Sequence, residues 1–131
     1  MKLSKFSDYS FRALIYLAHH QNTSTTVENL SDDLDISIHH MKKIINKLAN
    51  NNYVITTKGR NGGLRLARNP EEINLGELLL LTEDNLQLLE CFSETHSCPF
   101  DKPSCKLKQI LAKSKDTFIT ECKKYHLNDI L

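Results

Sequence analysis

The stretch TVENLSDDLDISIHHMKKIINKLAN, residues 26–50, holds two helical periods broken by a tight turn. Thr26 is a good N-cap for a first short helix, Val27 to Leu34, whose inward residues Val27, Leu30 and Leu34 recur at helical steps. Asp35-Ile36-Ser37 interrupts the period, with Ile36 as a buried plug and Ser37 as the next N-cap. A second helix then runs from Ile38 to about Asn50, apolar at Ile38, Met41, Ile44, Ile45 and Leu48. Its other side carries Lys42, Lys43 and Lys47. Two helices joined by a three-residue turn form a helix–turn–helix, in which the second helix is the one offered to a partner.

The flanks agree with that reading. Upstream, Phe6, Tyr9, Ala13, Leu14 and Leu17 predict an amphipathic helix from Leu3 to about His20. Downstream, Tyr53 to Lys58 is β-prone, Gly59-Arg60-Asn61-Gly62-Gly63 supplies turn residues, and Leu64-Arg65-Leu66 alternates apolar with basic. That is a hairpin with a basic tip, a wing on the helix–turn–helix. The glycines lack a following Gly-Lys-Ser/Thr and have no dinucleotide-binding spacing, which excludes a nucleotide loop. A short helix from Leu75 to about Leu81 leads into a polar segment with Pro99 and Pro103, read as loop. A long helix then spans Cys105 to Tyr125, with Leu107, Ile110, Leu111, Phe118, Ile119, Cys122 and Tyr125 on one broad apolar face. At about 30 Å it is longer than a compact winged head covers, and a symmetric homodimer packed along it is the simplest use of the stripe. The expected architecture is mainly α: a winged helix–turn–helix head with a two-stranded β wing (1–81), a cysteine-rich loop (82–104) and a C-terminal dimerisation helix (105–131).

Charge is distributed unevenly along the 131 residues. The formal net charge of +1 conceals a basic N-terminal half and an acidic C-terminal one. Between Ile36 and Pro70 there is no acidic side chain, whereas Lys42, Lys43, Lys47, Lys58, Arg60, Arg65 and Arg68 are all basic. A face of that kind favours a polyanion, and on this scaffold double-stranded DNA. The alternative is a solvated surface that lacks acids by chance. The longest apolar run, Leu78 to Leu81, is far too short to span a bilayer, and no signal peptide is visible. A cytoplasmic location is therefore expected, where thiols stay reduced and structural disulfides are disfavoured.

Cys91, Cys98 and Cys105 stand at equal seven-residue intervals in and at the end of the polar segment. Unligated cysteines ordinarily sit among apolar residues, so three in a solvated loop suggest thiolate ligation of a soft metal or an iron–sulfur cluster. A Cys₃His zinc site completed by His96 and a set of oxidant-sensing thiols are the competing readings. Cys122, four residues after Phe118 on the apolar stripe, reads as packing. No Ser/His/Asp set or paired carboxylates point to an enzyme.

At this point the chain resembles the winged-helix transcriptional regulators of the NsrR/IscR type. The opening Phe6-Ser7-Asp8-Tyr9-Ser10-Phe11-Arg12-Ala13-Leu14 carries the resemblance, as do His40 to Leu48, the wing Lys58 to Leu66, and Cys105-Lys106-Leu107-Lys108. The NsrR type is the closer of the two, because the IscR type places a histidine where Lys108 stands. The resemblance implies a repressor that binds palindromic operators while an iron–sulfur cluster, 4Fe–4S ahead of 2Fe–2S, is intact, with nitric oxide as effector. It implies cluster ligation by Cys91, Cys98 and Cys105, and a further ligand from Asp8 on the other subunit's first helix. Six residues lie in each gap between the cysteines, wider than is usual for the family, so cluster type and fourth ligand (Asp8, His96 or water) stay open. Asp8 has a plain alternative as the i,i+4 partner of Arg12 in a first helical turn.

Residues expected at the DNA are Ser37, His39, His40, Lys42, Lys43 and Lys47 of the second helix, and Lys58, Arg60 and Arg65 of the wing. Two other functions remain on the same residues. One is a regulator responsive to iron supply or redox state; the other is a zinc or cluster-carrying protein without specific DNA binding.

Overall fold

The computed structural model describes residues 1–60, 62–95, 97–100 and 103–131. Among the described residues the fold has five α-helices and one two-stranded antiparallel sheet. Helix α1 spans Lys5–His19, α2 Val27–Leu34 and α3 Ile38–Asn50. Strands β1 (Val54–Thr57) and β2 (Gly63–Leu66) form the wing, α4 spans Leu75–Thr82 and α5 spans Lys106–Cys122.

The α2–α3 unit forms as its sequence dictates. Thr26 and Asn29 cap α2 reciprocally, and the Ser37 hydroxyl accepts the His40 N–H at 3.2 Å to start α3. Asp35 ends α2 in the left-handed region, with φ 53° and ψ 48°, a conformation that Asp tolerates better than most residues. That turn drives Ile36 inward, where it is 5% exposed. The core of the head joins Leu14 and Leu17 of α1, Leu30 of α2, Met41, Ile44 and Leu48 of α3, and Leu78 of α4, all at most 1% exposed. Ile38 departs from the expected inward row and is 40% exposed.

The wing pairs Val54 with Leu66, Ile55 with Arg65, Thr56 with Leu64 and Thr57 with Gly63. Strand alternation buries Val54 and Leu64 and exposes Ile55 and Arg65. Gly59 begins the tip at φ 109°, a backbone conformation that L side chains seldom adopt. The wing has an anchor that the sequence pattern did not reveal: the Leu64 N–H donates to Thr25 O at 2.6 Å, and Ser24 Oγ donates to Gly62 O at 2.6 Å.

Helix α5 is shorter than its apolar stripe suggested and stops at Cys122. The next residues turn back toward the start of α4. There the Asn74 amide donates to Lys123 O at 2.7 Å, the Leu75 N–H to Tyr125 O at 3.0 Å, and the Leu127 N–H to Ile73 O at 2.9 Å. Gly76 permits this approach, since a Cβ there would lie 2.8 Å from the Lys123 backbone nitrogen. Leu127 is fully buried as a result, whereas Tyr125, expected on the helical stripe, lies beyond the helix and is 47% exposed. Leu107, Ile110 and Phe118 of α5 are exposed apolar residues, and Ile119 is the α5 residue that is buried. Among the described residues no helix is long and apolar enough to cross a membrane.

Candidate nucleic-acid interface and cysteine segment

The outer face of α3 is polar and basic because the inner face takes every large apolar residue after Ile38. Ser37, His39, Lys42, Lys43 and Lys47 are exposed along it. The first turn of α3 contains no acid, so the positive end of the helix is left uncompensated toward an incoming anion. His40 is placed differently from its neighbour. Its half-buried ring packs edge-on to Tyr9 at 5.3 Å between centroids and tilted to Phe6 at 6.3 Å. His39 is thus the outward histidine of the pair, and His40 a contact between α1 and the leading end of α3.

In the wing, Lys58, Arg60 and Arg65 are exposed, and Asn61 lies outside the described residues. Arg68, the last cation of the acid-free window, is instead half-buried and bonded to backbone. A cleft runs between α3 and the entrance to the cysteine segment, lined by Phe6, Lys43, Asn46, Lys47, Leu81 and Asp84.

The cysteine segment begins at a latch. The Glu83 carboxylate accepts the Ser4 N–H at 3.1 Å, Ser4 Oγ at 3.1 Å and Ser7 Oγ at 2.6 Å. These are donors at the N-terminus of α1, which a carboxylate satisfies in both hydrogen bonding and charge. Ser7 is fully buried and Thr82 nearly so, with Thr82 Oγ1 2.9 Å from Ser7 Oγ. Nothing in the local pattern around Ser4, Thr82 and Glu83 marks this contact; the serine at the N-cap of α1 is the signal the sequence offers.

Beyond the latch, Cys91 sits in a 3-10 turn spanning Glu90–Phe92, Cys98 in coil, and Cys105 at the N-cap of α5 without a side-chain cap bond. All four cysteines are free and half-buried. The three thiols of the segment are therefore not committed to a disulfide or a sealed core, and as soft donors they suit iron in a sulfur environment. Among the described residues no three His, Cys, Asp or Glu side chains gather closely enough to hold a metal ion. The donor set fits such a cluster in kind, and the segment would have to draw together around it. His96, the alternative zinc ligand, lies outside the described residues.

Asp8 makes a fork with Arg12, Oδ1 to Nε at 2.9 Å and Oδ2 to Nη2 at 3.0 Å. The hydrogen bond first and the carboxylate charge second raise the Arg12 pKa above its ordinary value. With the two side chains 52% and 46% exposed, solvent screens this pair and it is weak.

Comparisons with known proteins fit this geometry. The family model Rrf2, described as an iron-dependent transcriptional regulator, matches residues 3–131. The HTH-type transcriptional regulator NsrR of Shouchella clausii is 40% identical over 133 residues, covering 100% of this chain and 89% of its own. That of Bacillus subtilis is 36% identical over 132 residues, covering 100% of this chain and 90% of its own. Among solved structures, CymR, the global cysteine regulator of B. subtilis, superposes with a TM-score of 0.74 at 20% identity, over 99% of this chain and 95% of its own. IscR of T. potens superposes with a TM-score of 0.75 at 21% identity, over 99% of this chain and 85% of its own. These structural matches establish the winged-helix fold. The chain belongs to the Rrf2 family of transcriptional regulators.

Proposed function

We propose that the protein is a homodimeric repressor that binds palindromic operators through α3 and the wing, and that an iron–sulfur cluster on Cys91, Cys98 and Cys105 sets its affinity. The observation that carries the DNA half is the exposed basic row of α3 continuing into Lys58, Arg60 and Arg65 of the wing, without an acid from Ile36 to Pro70. Helix α3 enters the major groove, where Ser37, His39 and Lys43 reach base edges near its leading end. Lys42, Lys47 and the wing cations meet phosphates or the adjacent minor groove. A dimer presents two such heads about one helical turn of DNA apart, hence the palindrome.

For the regulatory half, the three free thiols of the segment are the support, together with 35–40% identity to regulators named NsrR over the whole chain. When bound, such a cluster supplies iron at which a small diatomic gas such as nitric oxide is able to bind. The chain's own residues then do the rest. Cys91, Cys98 and Cys105 hold the segment in one arrangement, and the partner subunit's Asp8 offers a harder, more labile donor. For that, Asp8 has to release Arg12, which the solvent-screened fork permits. The latch at Glu83 ties the segment's entrance to α1, and α1 touches α3 through Phe6, Tyr9 and His40. A change of the segment thus has a short covalent and packed route to the reading head.

A second reading, a regulator responsive to iron supply or redox state, is favoured by the family's description as iron-dependent. It uses the same residues and differs only in effector.

The DNA assignment is tested on the wing. Arg60→Ala and Arg65→Ala are expected to weaken binding to operator and random duplex alike, each flattening the salt dependence by about one unit per lost phosphate contact. Lys43→Ala should instead reduce discrimination between operator and random DNA. Unchanged salt slopes for both wing variants would place the wing away from the backbone.

A further inference from the structure

Among the described residues of the acid-free window, Arg68 is the basic residue whose guanidinium is bonded at the end of α3. Its Nε donates to Asn52 O at 2.9 Å and its Nη2 to Asn51 O at 3.0 Å. Its Cζ lies 4.2 Å from the centroid of the Tyr53 ring, and Tyr53 is only 5% exposed. Asn51 is the C-cap of α3, and Asn52 turns the chain with φ 62° toward β1. The carbonyl of the C-cap Asn51 lacks an intrahelical partner and carries partial negative charge, so a cation that bonds it is doubly suited. Arg68 itself lies just after β2. Beside it the Ala67 N–H donates to Tyr53 O at 2.9 Å, and the Tyr53 N–H donates to Leu48 O at 2.9 Å.

The geometry points to Arg68 as a positioning residue for DNA reading, which clamps the foot of the wing to the end of the recognition helix. Where the chain leaves α3 for the wing and where it returns from the wing, one guanidinium holds both. The angle between the two DNA-touching elements is fixed at that joint. A fork with two parallel donors and a flat face for stacking is specific to arginine; lysine offers a point charge and neither feature. Arg68 therefore acts through α3 and the wing, and does not take a phosphate itself. This inference rests on the DNA-binding assignment above.

The test uses the full-length protein, a duplex recovered by the wild type from a random-sequence library, and a scrambled duplex of equal length. Affinity for both is measured across a salt series for wild type, Arg68→Lys, Arg68→Gln and Arg65→Ala. Both Arg68 variants should lose about tenfold in the ratio of selected to scrambled affinity, the scale of one misread base contact. Their salt slopes should match that of the wild type, while Arg65→Ala lowers its slope. Should Arg68→Gln fail to fold, Arg68→Lys alone decides, since it keeps the charge and the apolar stem and lacks the fork. A lowered slope for Arg68→Gln that Arg68→Lys restores, with the ratio intact, would make Arg68 a phosphate ligand and overturn the proposal. An intact ratio with nothing but a lower melting temperature would overturn it too, leaving a structural brace. Wild type that recovers no preferred duplex would instead sink the DNA assignment on which the inference stands.

Discussion

Replacing Cys91, Cys98 or Cys105 by alanine is expected to give folded but colourless protein when purified without air, whereas Cys122→Ala stays coloured. All four thiols are free and half-buried, so exposure does not separate them; their settings do. The first three lie in the segment between α4 and α5, held by no helix interior, and Cys122 is the last residue of α5, three after the buried Ile119. If the three thiols hold a cluster, loss of one would leave an iron without its protein thiolate, a second position that carboxylate or water would have to fill. The effect is all-or-none in visible absorbance and needs only a spectrum and an iron assay. Asp8→Ala, measured alongside, should still bind the cluster and lose it faster in air, because a carboxylate is a weak partner for cluster iron. Equal decay in wild type and Asp8→Ala would assign Asp8 to the Arg12 fork alone. A colourless wild type with about one zinc per chain would replace the cluster by a zinc site.

The second large effect is expected on α5. Leu107, Ile110 and Phe118 are 58%, 61% and 43% exposed, and with Leu111 they follow helical steps along one side of the helix. An apolar stripe of that kind is a candidate for association. A second copy of this chain is the occupant that fits the proposed binding to palindromic operators. Ile110→Asp combined with Phe118→Asp should yield a monomer by sedimentation. Operator affinity should then fall by roughly 10²–10⁴-fold, the scale lost when two linked heads bind singly. Each head should keep its helical content, because neither residue belongs to the buried core. A variant that stays dimeric and binds normally would show that the stripe serves another purpose.

The parts legible in the sequence were those fixed by short-range chemistry. The bounds of α2 and α3 follow from Thr26, Asp35 and Ser37, whose side chains cap or turn the backbone locally, and the structure places both helices as those residues imply. The wing strands followed from alternation and from the glycines between them. What escaped were contacts made across the chain. Ser24 and Thr25 look like loop until β2 lies beside them, and Glu83 looks like a surface acid until Ser4 and Ser7 meet it. Arg68 was indistinguishable from its neighbours in a charge count, since only the fold shows which carbonyls it faces. The end of α5 was overextended for a related reason: the apolar period continues to Tyr125, but hydrogen bonds from Asn74 and Leu75 claim the backbone there. His40 shared a helical turn with His39 and parted from it only because Phe6 and Tyr9 arrive on one side.

The state of the cysteine segment is proposed to govern operator affinity. This dependence is tested most directly by titrating the coloured, air-free protein with nitric oxide, reading visible absorbance and operator binding on the same samples. Operator affinity is predicted to fall in step with the cluster absorbance, by a factor on the order of 100 at the end of the titration. Operator affinity that stays the same while the absorbance is lost would show that the cysteine segment does not govern DNA binding.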